Sequence, residues 1–244
     1  MNQPVDFGFQ KISPEEKTRR VDDVFSSVAW RYDLMNDLMS FGIHRLWKRL
    51  CVHLARLRSG SVVLDVASGT GDLAALLKQA GCGVVLCDIN EAMLKHGRDK
   101  LVDKGLADNV HYVRADAERL PFADNSFDCV TLALGLRNMT DKMCALRSIH
   151  AKLKYGCPVI ILEFSRVTSD LLRWVYDKYS FHAIPPLGKL VAQDPDSYRY
   201  LVESIRMHPD QESLKTMLED AGFSRVDYLN LSGGIVALHK GYKL

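Results

Sequence analysis

The stretch that decides the fold is Val62-Val63-Leu64-Asp65-Val66-Ala67-Ser68-Gly69-Thr70-Gly71-Asp72-Leu73-Ala74. Its first five residues are apolar except for one carboxylate, which predicts a buried β-strand, and the apolar spacing over residues 73–79 predicts a helix. The glycines between them allow a ligand to approach the backbone at the carboxyl end of a parallel strand, where α/β sheets bind nucleotides. We therefore expect Gly69, Thr70 and Gly71 to contact a nucleoside cofactor.

The same alternation of short apolar runs and helical patterns continues along the chain. Four further apolar runs predict strands, at residues 84–88, 110–114, 129–134 and 159–164. Helical spacing follows at residues 91–104, 141–153 and 211–221. Two last apolar runs, 226–229 and 235–238, are separated by Ser232-Gly233-Gly234, which predicts an antiparallel pair. The sequence thus predicts an α/β fold with a mostly parallel sheet and an antiparallel edge hairpin.

The N-terminal residues 1–57 predict a helical cap. Ser13, Pro14 and Glu16 have the spacing of a capping box that begins a helix. One face of that helix is apolar, with Val21, Val24, Phe25, Val28, Ala29 and Tyr32. The helical pattern continues to about residue 57 and is broken near Gly42. We expect residues 1–57 to be part of the same domain as the core at 58–244.

Composition limits the class of protein. The chain has 244 residues, of which 47% are hydrophobic and 25% charged, which fits one globular domain and excludes a disordered or fibrous protein. A net charge of +2 does not favour nucleic acid as the main partner. The six cysteines form no Cys-x-x-Cys pair and lie at no metal-site spacing from histidine, so no metal is expected. No signal peptide or membrane span is evident, and we expect a cytoplasmic protein.

Two further motifs extend the predicted cofactor site. Asp88 ends the second strand of the unit, where its carboxylate can accept hydrogen bonds from a ribose diol. Asp116 and Ala117 follow the third strand, where a carboxylate beside a backbone N–H can hold the amine and a ring nitrogen of adenine. Taken alone, Asp-Ala-Glu is more typical of an exposed turn, and only its register with the two preceding motifs favours the binding interpretation.

The glycine motif by itself does not choose the cofactor. Gly69-x-Gly71-x-x-Ala74 also satisfies the dinucleotide fingerprint, so an NAD-dependent oxidoreductase is an alternative. Asp65 and Asp72 flank the turn, and both would repel a pyrophosphate at the helix N-terminus. They suit a cofactor that carries an amino group and a sulfonium, as S-adenosylmethionine does. Asp72 could instead simply complement its own helix.

With these three motifs in order, the chain resembles a class I S-adenosylmethionine methyltransferase with a Rossmann-like sheet. Residues 24–49, 135–141 and 197–205 resemble the N-terminal, central and C-terminal signatures of the ubiquinone/menaquinone biosynthesis C-methyltransferases. The resemblance covers residues 14–241 and implies S-adenosylmethionine as cofactor and a polyprenylated quinol as substrate. That family usually has serine where this chain has Ala133, so a cofactor contact carried over to Ala133 can involve only its backbone or packing.

The resemblance also implies which residues face the methyl acceptor. Arg137 and Asn138 are expected beside the quinol and Tyr32 above it, with roles in hydrogen bonding and orientation. A phenol titrates near pH 10, and a permanent cation such as Arg137 would favour its ionised form. The alternatives are that Arg137 pairs with Asp141 at a helix start and that Tyr32 merely ends an apolar face. A base is not assigned: His182 and a bound water are both candidates.

Residues 168–193 are expected to form an inserted lid, since the segment is rich in aromatic residues. An aromatic stretch of this kind is more often part of the core; as a lid it suits an apolar acceptor and a membrane interface. A polyprenyl tail stays in the bilayer, so we expect peripheral contact with the inner face of the membrane. A homo-oligomer or a complex of quinone-pathway enzymes is a further expectation. A non-enzymatic quinone-binding protein is the alternative from another class.

Overall fold

The fold was analysed in a computed structural model that describes residues 4–170, 172–174, 178 and 195–244. The strands are β1 (Val5–Phe7), β2 (Gln10–Ile12), β3 (Val62–Val66), β4 (Gly83–Asp88), β5 (Val110–Arg114), β6 (Cys129–Ala133), β7 (Pro158–Phe164), β8 (Ser224–Leu231) and β9 (Val236–Tyr242). The helices are α1 (Pro14–Val28), α2 (Tyr32–Ser40), α3 (His44–Ala55), α4 (Asp72–Gln79), α5 (Glu91–Asp103), α6 (Lys142–Lys152), α7 (Pro195–Met207) and α8 (Gln211–Asp220).

Seven strands form one sheet in the order β5-β4-β3-β6-β7-β9-β8. Strands β3 to β7 pair in parallel, and β9 runs antiparallel to both β7 and β8. The central strands are apolar throughout because helices cover both faces of the sheet. The predicted α/β fold with an antiparallel edge pair is confirmed. β8 and β9 are longer than predicted, because polar residues alternate with apolar ones along β8 at the edge of the sheet.

The cap consists of α1 and α2, which lie over the carboxyl ends of the parallel strands, and α3, which packs on the sheet. The N-cap of α1 is Ser13, whose Oγ accepts a hydrogen bond from the Glu16 amide at 3.2 Å, as the capping box predicts. The break near Gly42 is present between α2 and α3. A further break, a 3-10 turn over Ala29–Arg31, was not predicted, because the helical spacing of apolar residues continues across it. Helix α3 packs on the sheet through Trp47, so the cap and the core share one hydrophobic core.

The antiparallel hairpin β1–β2 was also missed by the sequence analysis. Its strands have three residues each, too few for a periodic pattern to be visible. Contacts with α7 fix it: the Phe7 ring stacks on Tyr200 with centroids 4.1 Å apart, and the Phe9 amide donates to Glu203 at 3.2 Å. In the part of the chain that the structure describes, no helix is long and apolar enough to cross a membrane.

Candidate active site

Two adjoining cavities lie at the carboxyl edge of the parallel strands. The strand-end cavity, of about 820 Å³, is bordered by the loops that follow β3, β4, β5 and β6. The cap cavity, of about 560 Å³, lies between α1, α2, α7 and the ends of β6 and β7. Four residues line both cavities and so form the passage between them: Phe25, Tyr32, Leu134 and Asn138.

Close packing of two loops shapes the floor of the strand-end cavity. A Cβ atom added to Gly135, after β6, would lie 2.6 Å from the Cβ of Ala67, after β3, so only glycine fits there. Gly69 has a φ of +54°, which glycine adopts without strain, and a Cβ there would lie 3.4 Å from Met93 Cε. The loop therefore leaves space beside Gly69 in which a ligand can approach the backbone.

Thr70 and Gly71, which follow Gly69 in the glycine loop, lie outside the lining of the strand-end cavity. Thr70 is buried, and its hydroxyl donates to the Asp33 carboxylate of the cap at 2.6 Å. Gly71 is the N-cap of α4, and a Cβ there would lie 3.0 Å from Leu86. Neither residue is part of the cavity lining, and their direct contact with a cofactor stays a prediction. Thr70 and Gly71 instead hold the shape of the loop and its contact with the cap.

Asp88 is a half-buried carboxylate of the strand-end cavity. Its two oxygens accept hydrogen bonds from the amides of Gly69 at 2.8 Å and Asn90 at 2.9 Å. Burial raises the pKa of Asp88 above its ordinary value, and the backbone hydrogen bonds only partly oppose this. Each carboxylate oxygen retains a lone pair, so the group suits a ligand that carries hydroxyl donors, such as a ribose diol.

The other predicted cofactor residues also line the strand-end cavity. Asp116 and Ala117 lie in the 3-10 turn after β5, where one Asp116 oxygen accepts from the Glu118 amide at 2.9 Å. Ala133 ends β6, and its neighbour Leu134 has a left-handed backbone with φ +59°. Because Ala133 carries only a methyl group, it contributes packing surface to the wall, as expected from its side chain.

Asp65 and Asp72 do not act as the uncompensated charges that were expected to repel a pyrophosphate. Burial alone would raise the pKa of Asp72, but Lys48 and Lys100 both pair with it and bring its pKa well below the ordinary value. Asp65 accepts a hydrogen bond from Thr131 Oγ1 at 2.7 Å, and burial raises its pKa to about 7. Neither carboxylate lines the strand-end cavity. The loop is therefore not surrounded by uncompensated negative charge, and the choice of cofactor rests on other grounds.

The cap cavity brings together residues from all three signature stretches. Its walls are mostly apolar or aromatic, with Val24, Phe25, Val28, Met39, Leu134, Phe164, Tyr198 and Leu201. Its polar groups come from the cap, the loop after β6 and α7, and are Tyr32, Asn36, Arg137, Asn138, Ser197 and Tyr200. A lining of this composition suits an apolar ligand that carries a small number of oxygen atoms.

Arg137 is paired with Glu163, a residue that the sequence analysis missed. Arg137 Nη1 lies 2.9 Å from Glu163 Oε1, and the Arg137 amide donates to the second Glu163 oxygen at 3.2 Å. Both side chains are buried, at 4% and 1% exposure. The alternative pairing with Asp141 does not occur, because Asp141 instead caps α6 by accepting from the Cys144 amide at 2.9 Å. Glu163 lies near the carboxyl end of β7. An acidic residue at the end of a predicted strand was also the sequence signal for Asp88.

Arg137 retains hydrogen-bonding capacity. Its Nη1 donates to the Leu134 carbonyl as well as to Glu163, whereas its buried Nε has no hydrogen-bond partner among the described residues. A buried N–H without an acceptor costs free energy, and the Arg137 side chain borders the cap cavity. A ligand oxygen that contacts the guanidinium there would gain a charge-assisted hydrogen bond.

Asn138 and Tyr32 complete the predicted acceptor contacts. The Tyr200 hydroxyl donates to Asn138 Oδ1 at 3.1 Å, and burial raises the pKa of Tyr200 to about 12. With its oxygen engaged, Asn138 can offer its NH₂ group to a ligand. The Tyr32 ring packs edge-on against Phe25, with centroids 6.1 Å apart, in the passage between the cavities. His182 and most of the predicted lid at 168–193 lie outside the described residues.

A protein-family model described as the ubiE/COQ5 methyltransferase family matches residues 13–243. The chain belongs to this family. It is 60% identical over 242 residues, 98% of this chain and 96% of the relative, to the Idiomarina loihiensis protein named ubiquinone/menaquinone biosynthesis C-methyltransferase UbiE. It is 58% identical over 241 residues, 97% of this chain and 96% of the relative, to the protein of the same name from Escherichia coli O1:K1 / APEC.

Solved structures share the fold of this ubiE/COQ5 family member. The [4+2]-cyclase SpnF aligns with a TM-score of 0.68 at 14% identity, covering 100% of this chain and 99% of that one. A SAM-dependent methyltransferase from Thermotoga maritima aligns with a TM-score of 0.65 at 20% identity, covering 91% and 99%. At these identities the likeness concerns the fold alone. The predicted class I methyltransferase fold and the predicted family are thus confirmed.

S-adenosylmethionine is the cofactor of this methyltransferase, and the strand-end cavity fits it. The chemistry of the residues present agrees with the parts of the molecule. Asp88 offers acceptor lone pairs for the ribose hydroxyls, and Asp116 with Ala117 offers a carboxylate and a backbone turn for adenine. The missing Cβ of Gly69 leaves room for the ligand against the loop. The predicted cofactor is therefore confirmed, although the charge argument for it was not.

Proposed function

We propose that this methyltransferase adds a methyl group to a ring carbon of a polyprenylated quinol in ubiquinone and menaquinone biosynthesis. The two reactions are demethylmenaquinol to menaquinol and 2-polyprenyl-6-methoxy-1,4-benzoquinol to its methylated product. The names of relatives at 58–60% identity support this substrate class. The observation that carries the proposal is Arg137, a buried cation with an unsatisfied Nε donor in a largely apolar cavity that adjoins the cofactor cavity.

Arg137 serves the reaction by stabilising a developing phenolate. S-adenosylmethionine, when bound, supplies a methyl group on a sulfonium that a carbon nucleophile can attack. A ring carbon of a neutral quinol is a weak nucleophile, and loss of the adjacent hydroxyl proton increases its electron density. The Arg137 guanidinium favours the ionised oxygen by charge and hydrogen bonding, because it stays cationic at any physiological pH. Glu163 holds Arg137 in place by accepting one hydrogen bond from its guanidinium and one from its backbone amide.

The remaining acceptor residues orient the ring. Asn138 offers its amide to a second oxygen of the quinol, with its rotamer fixed by the Tyr200 hydroxyl. Tyr32 covers the passage between the cavities and limits the positions the ring can take. Orientation of this kind matters because a displacement of about 1 Å from the reactive geometry can cost about 10²-fold in rate. Gly69, Asp88, Asp116, Ala117 and Ala133 contact the cofactor.

A radiolabelled methyl-transfer assay tests the proposal. The purified protein would be supplied with methyl-labelled S-adenosylmethionine and, side by side, short-chain demethylmenaquinol and the short-chain methoxy-benzoquinol. We expect label in the ring-methylated product of both quinols. Calorimetric titration with S-adenosylmethionine serves as the control for a folded cofactor site. Binding of the cofactor without transfer to either quinol would contradict the proposed substrate and favour a quinone-binding role.

The location of the substrate determines where the enzyme works. Because a polyprenyl tail stays in the bilayer, we propose a cytoplasmic enzyme that makes peripheral contact with the inner face of the membrane. A homo-oligomer or a complex of quinone-pathway enzymes stays a prediction. Fractionation of cells into soluble and membrane-bound material, before and after a high-salt wash, tests the peripheral contact.

A further inference from the structure

Six large apolar side chains are exposed together at one corner of the cap. We name this surface the cap corner; its members lie within residues 30–46 and are Trp30, Leu34, Leu38, Phe41, Ile43 and Leu46. Phe41 is 80% exposed, Trp30 61% and Leu46 60%. Single exposed apolar residues are ordinary on protein surfaces, but a cluster within one short helical corner marks an interaction surface.

Phe41 adds a second and independent observation. It ends α2 in the left-handed conformation, with φ +50° and ψ +35°. Glycine or asparagine is preferred at such a helix end, and a bulky residue there costs free energy. Because most of the ring is in solvent, burial of Phe41 within the fold offsets little of this cost. Backbone strain that is retained at an exposed aromatic residue indicates a function for Phe41.

The charges around the cap corner identify its partner. Each carboxylate of the corner is already matched, Asp33 by Lys100 and Asp37 by Arg45. Arg31 and Arg49 have no carboxylate partner among the described residues, and the Arg31 guanidinium lies 3.8 Å from the centroid of the Trp30 ring. Apolar and aromatic side chains bordered by unmatched arginines are complementary to an anionic lipid surface.

The cap corner is also continuous with the cap cavity. Tyr32, Asn36 and Met39 of α2 line the cavity, whereas Leu34 and Leu38 of the same helix are exposed. One helix therefore separates the proposed acceptor site from the apolar surface. A quinol ring in the cavity has its shortest route to a bilayer along this helix if the cap corner rests on that bilayer.

We propose that the cap corner is the surface with which this enzyme rests on an anionic lipid bilayer, so that a quinol can enter the cap cavity while its tail stays in the membrane. This inference rests on the proposed function for the identity of the tailed substrate. The side chains of Phe41 and Leu46 enter the interface, and Arg31 and Arg49 contact the lipid headgroups. The aromatic segment that the sequence analysis assigned to membrane contact is not needed for this step.

Vesicle co-sedimentation of the full-length protein tests the assignment. The vesicles contain phosphatidylcholine alone or phosphatidylcholine mixed with phosphatidylglycerol. We expect the parent protein to sediment with the anionic vesicles, and Phe41→Asn combined with Leu46→Gln to reduce its partition coefficient about tenfold or more. Asparagine tolerates the left-handed conformation of Phe41, so the variant should fold normally. Tyr155→Asn combined with Val102→Gln is the matched control, since these side chains are 71% and 55% exposed at the opposite end of the sheet.

Activity separates this inference from the proposed function. The cap-corner variant should methylate a soluble short-chain quinol at the parent rate and a long-chain quinol in anionic vesicles about tenfold more slowly. The inference is overturned if the parent does not bind anionic vesicles, or if the control variant loses as much binding as the cap-corner variant. It is equally overturned if the variant dissociates a dimer in lipid-free solution while its vesicle binding is unchanged. If neither quinol is methylated, the proposed function fails. Vesicle binding would still show whether the cap corner is the membrane-binding surface.

Discussion

The carboxylates nearest the two cavities lie in opposite electrostatic settings. In the strand-end cavity, Asp88 is held by two backbone amides, and burial raises its pKa. Glu163 is not part of the cap-cavity lining, but it is held by the guanidinium of Arg137, which is, and by the Arg137 amide. Amide dipoles only partly replace the lost hydration of a carboxylate, whereas a hydrogen-bonded cation replaces most of it.

This difference agrees with the proposed function. In that proposal Asp88 receives hydroxyl donors from the cofactor, for which a hydrogen-bonded carboxylate without a fixed cation is sufficient. The proposed phenolate requires a positive charge that stays in place beside the cap cavity. Glu163 holds Arg137 where its side chain borders that cavity. The comparison can be tested by substituting the charged residues at each cavity in turn.

The largest effect is expected from Arg137→Met, which deletes the charge and keeps much of the side-chain stem. We expect kcat to fall about 10²-fold or more, by analogy with the loss of one oxyanion donor. Cofactor affinity should hardly change, and a higher pH should restore part of the rate because hydroxide then ionises the quinol. The free energy of unfolding should also fall, by about 3–5 kcal/mol, since Glu163 is left buried without its partner. Stopped assays over a pH series and denaturant unfolding measure the two effects.

Because stability falls whether or not Arg137 acts in catalysis, a second variant is needed. Arg137→Met combined with Glu163→Gln removes the buried unpaired charge and should recover much of the lost stability. Its kcat should stay as low as that of Arg137→Met alone. If kcat recovers together with stability, Arg137 only braces the loop after β6, and the proposed mechanism is wrong.

Local sequence signals indicate single residues at both cavities, but they do not indicate the partners of those residues. Asp88 was predicted because a strand end and a nearby glycine loop carry the relevant signal locally. Glu163 has the same local signal, but its role depends on Arg137, 26 positions away along the chain. Likewise the charge of Asp72 is evident in the sequence, whereas its neutralisation by Lys48 and Lys100 depends on how α3 and α5 pack. Local patterns predict strands and loops; they do not predict which distant charges meet.

The helix boundary in the cap shows the same limit. The apolar face from Val21 to Tyr32 predicts one continuous helix, but α1 ends at Val28 and α2 begins at Tyr32. After this break Asp33 accepts from Thr70 and pairs with Lys100, which lie 37 and 67 positions further along the chain. These contacts fix the cap on the glycine loop. No local residue preference marks the break, because the stabilising partners are distant in sequence.

A pH-dependent effect on stability is predicted for Asp65, whose buried side chain has a hydroxyl partner but no ion pair among the described residues. Burial raises its pKa from 3.8 to about 7, so between these values the native state holds a proton that the unfolded state has released. The contribution of Asp65 to stability is therefore greatest below about pH 4 and is lost as the pH rises to about 7, by up to about 4 kcal/mol. Asp65→Asn should remove this dependence.

Denaturant unfolding of the parent and Asp65→Asn at about pH 5 and about pH 8 measures the difference. The variant should gain stability relative to the parent at the higher pH. Asp124→Asn is the control: the hydrogen bond from Lys152 lowers the pKa of Asp124, so its ionisation lies below this window. An equal stability difference at both pH values would show that Asp65 is ionised throughout in the native state.

A smaller effect is expected at Asp88, on cofactor affinity. Asp88→Ala removes the charge-assisted hydrogen bonds to the ribose diol, worth about 1.5–3 kcal/mol, or about 10- to 10²-fold in Kd. Titration calorimetry with S-adenosylmethionine measures the change, and Asp88→Asn, which keeps one acceptor oxygen, should lose less. The KM for the quinol should stay near the parent value. Parent affinity in a folded Asp88→Ala variant would exclude the ribose placement.

The smallest effect tests whether the orientation of Asn138 matters. Tyr200→Phe removes the hydroxyl that donates to Asn138 Oδ1 at 3.1 Å and leaves the ring stacked on Phe7. The loss of one such hydrogen bond is worth about 0.5–1.5 kcal/mol, so we expect KM for the quinol to rise a few-fold while cofactor affinity is unchanged. Tyr112→Phe is the matched control, because the buried Tyr112 hydroxyl has no partner among the described residues and its removal should be neutral or stabilising. If Tyr200→Phe leaves KM for the quinol at the parent value, Asn138 does not need that hydrogen bond to orient the acceptor.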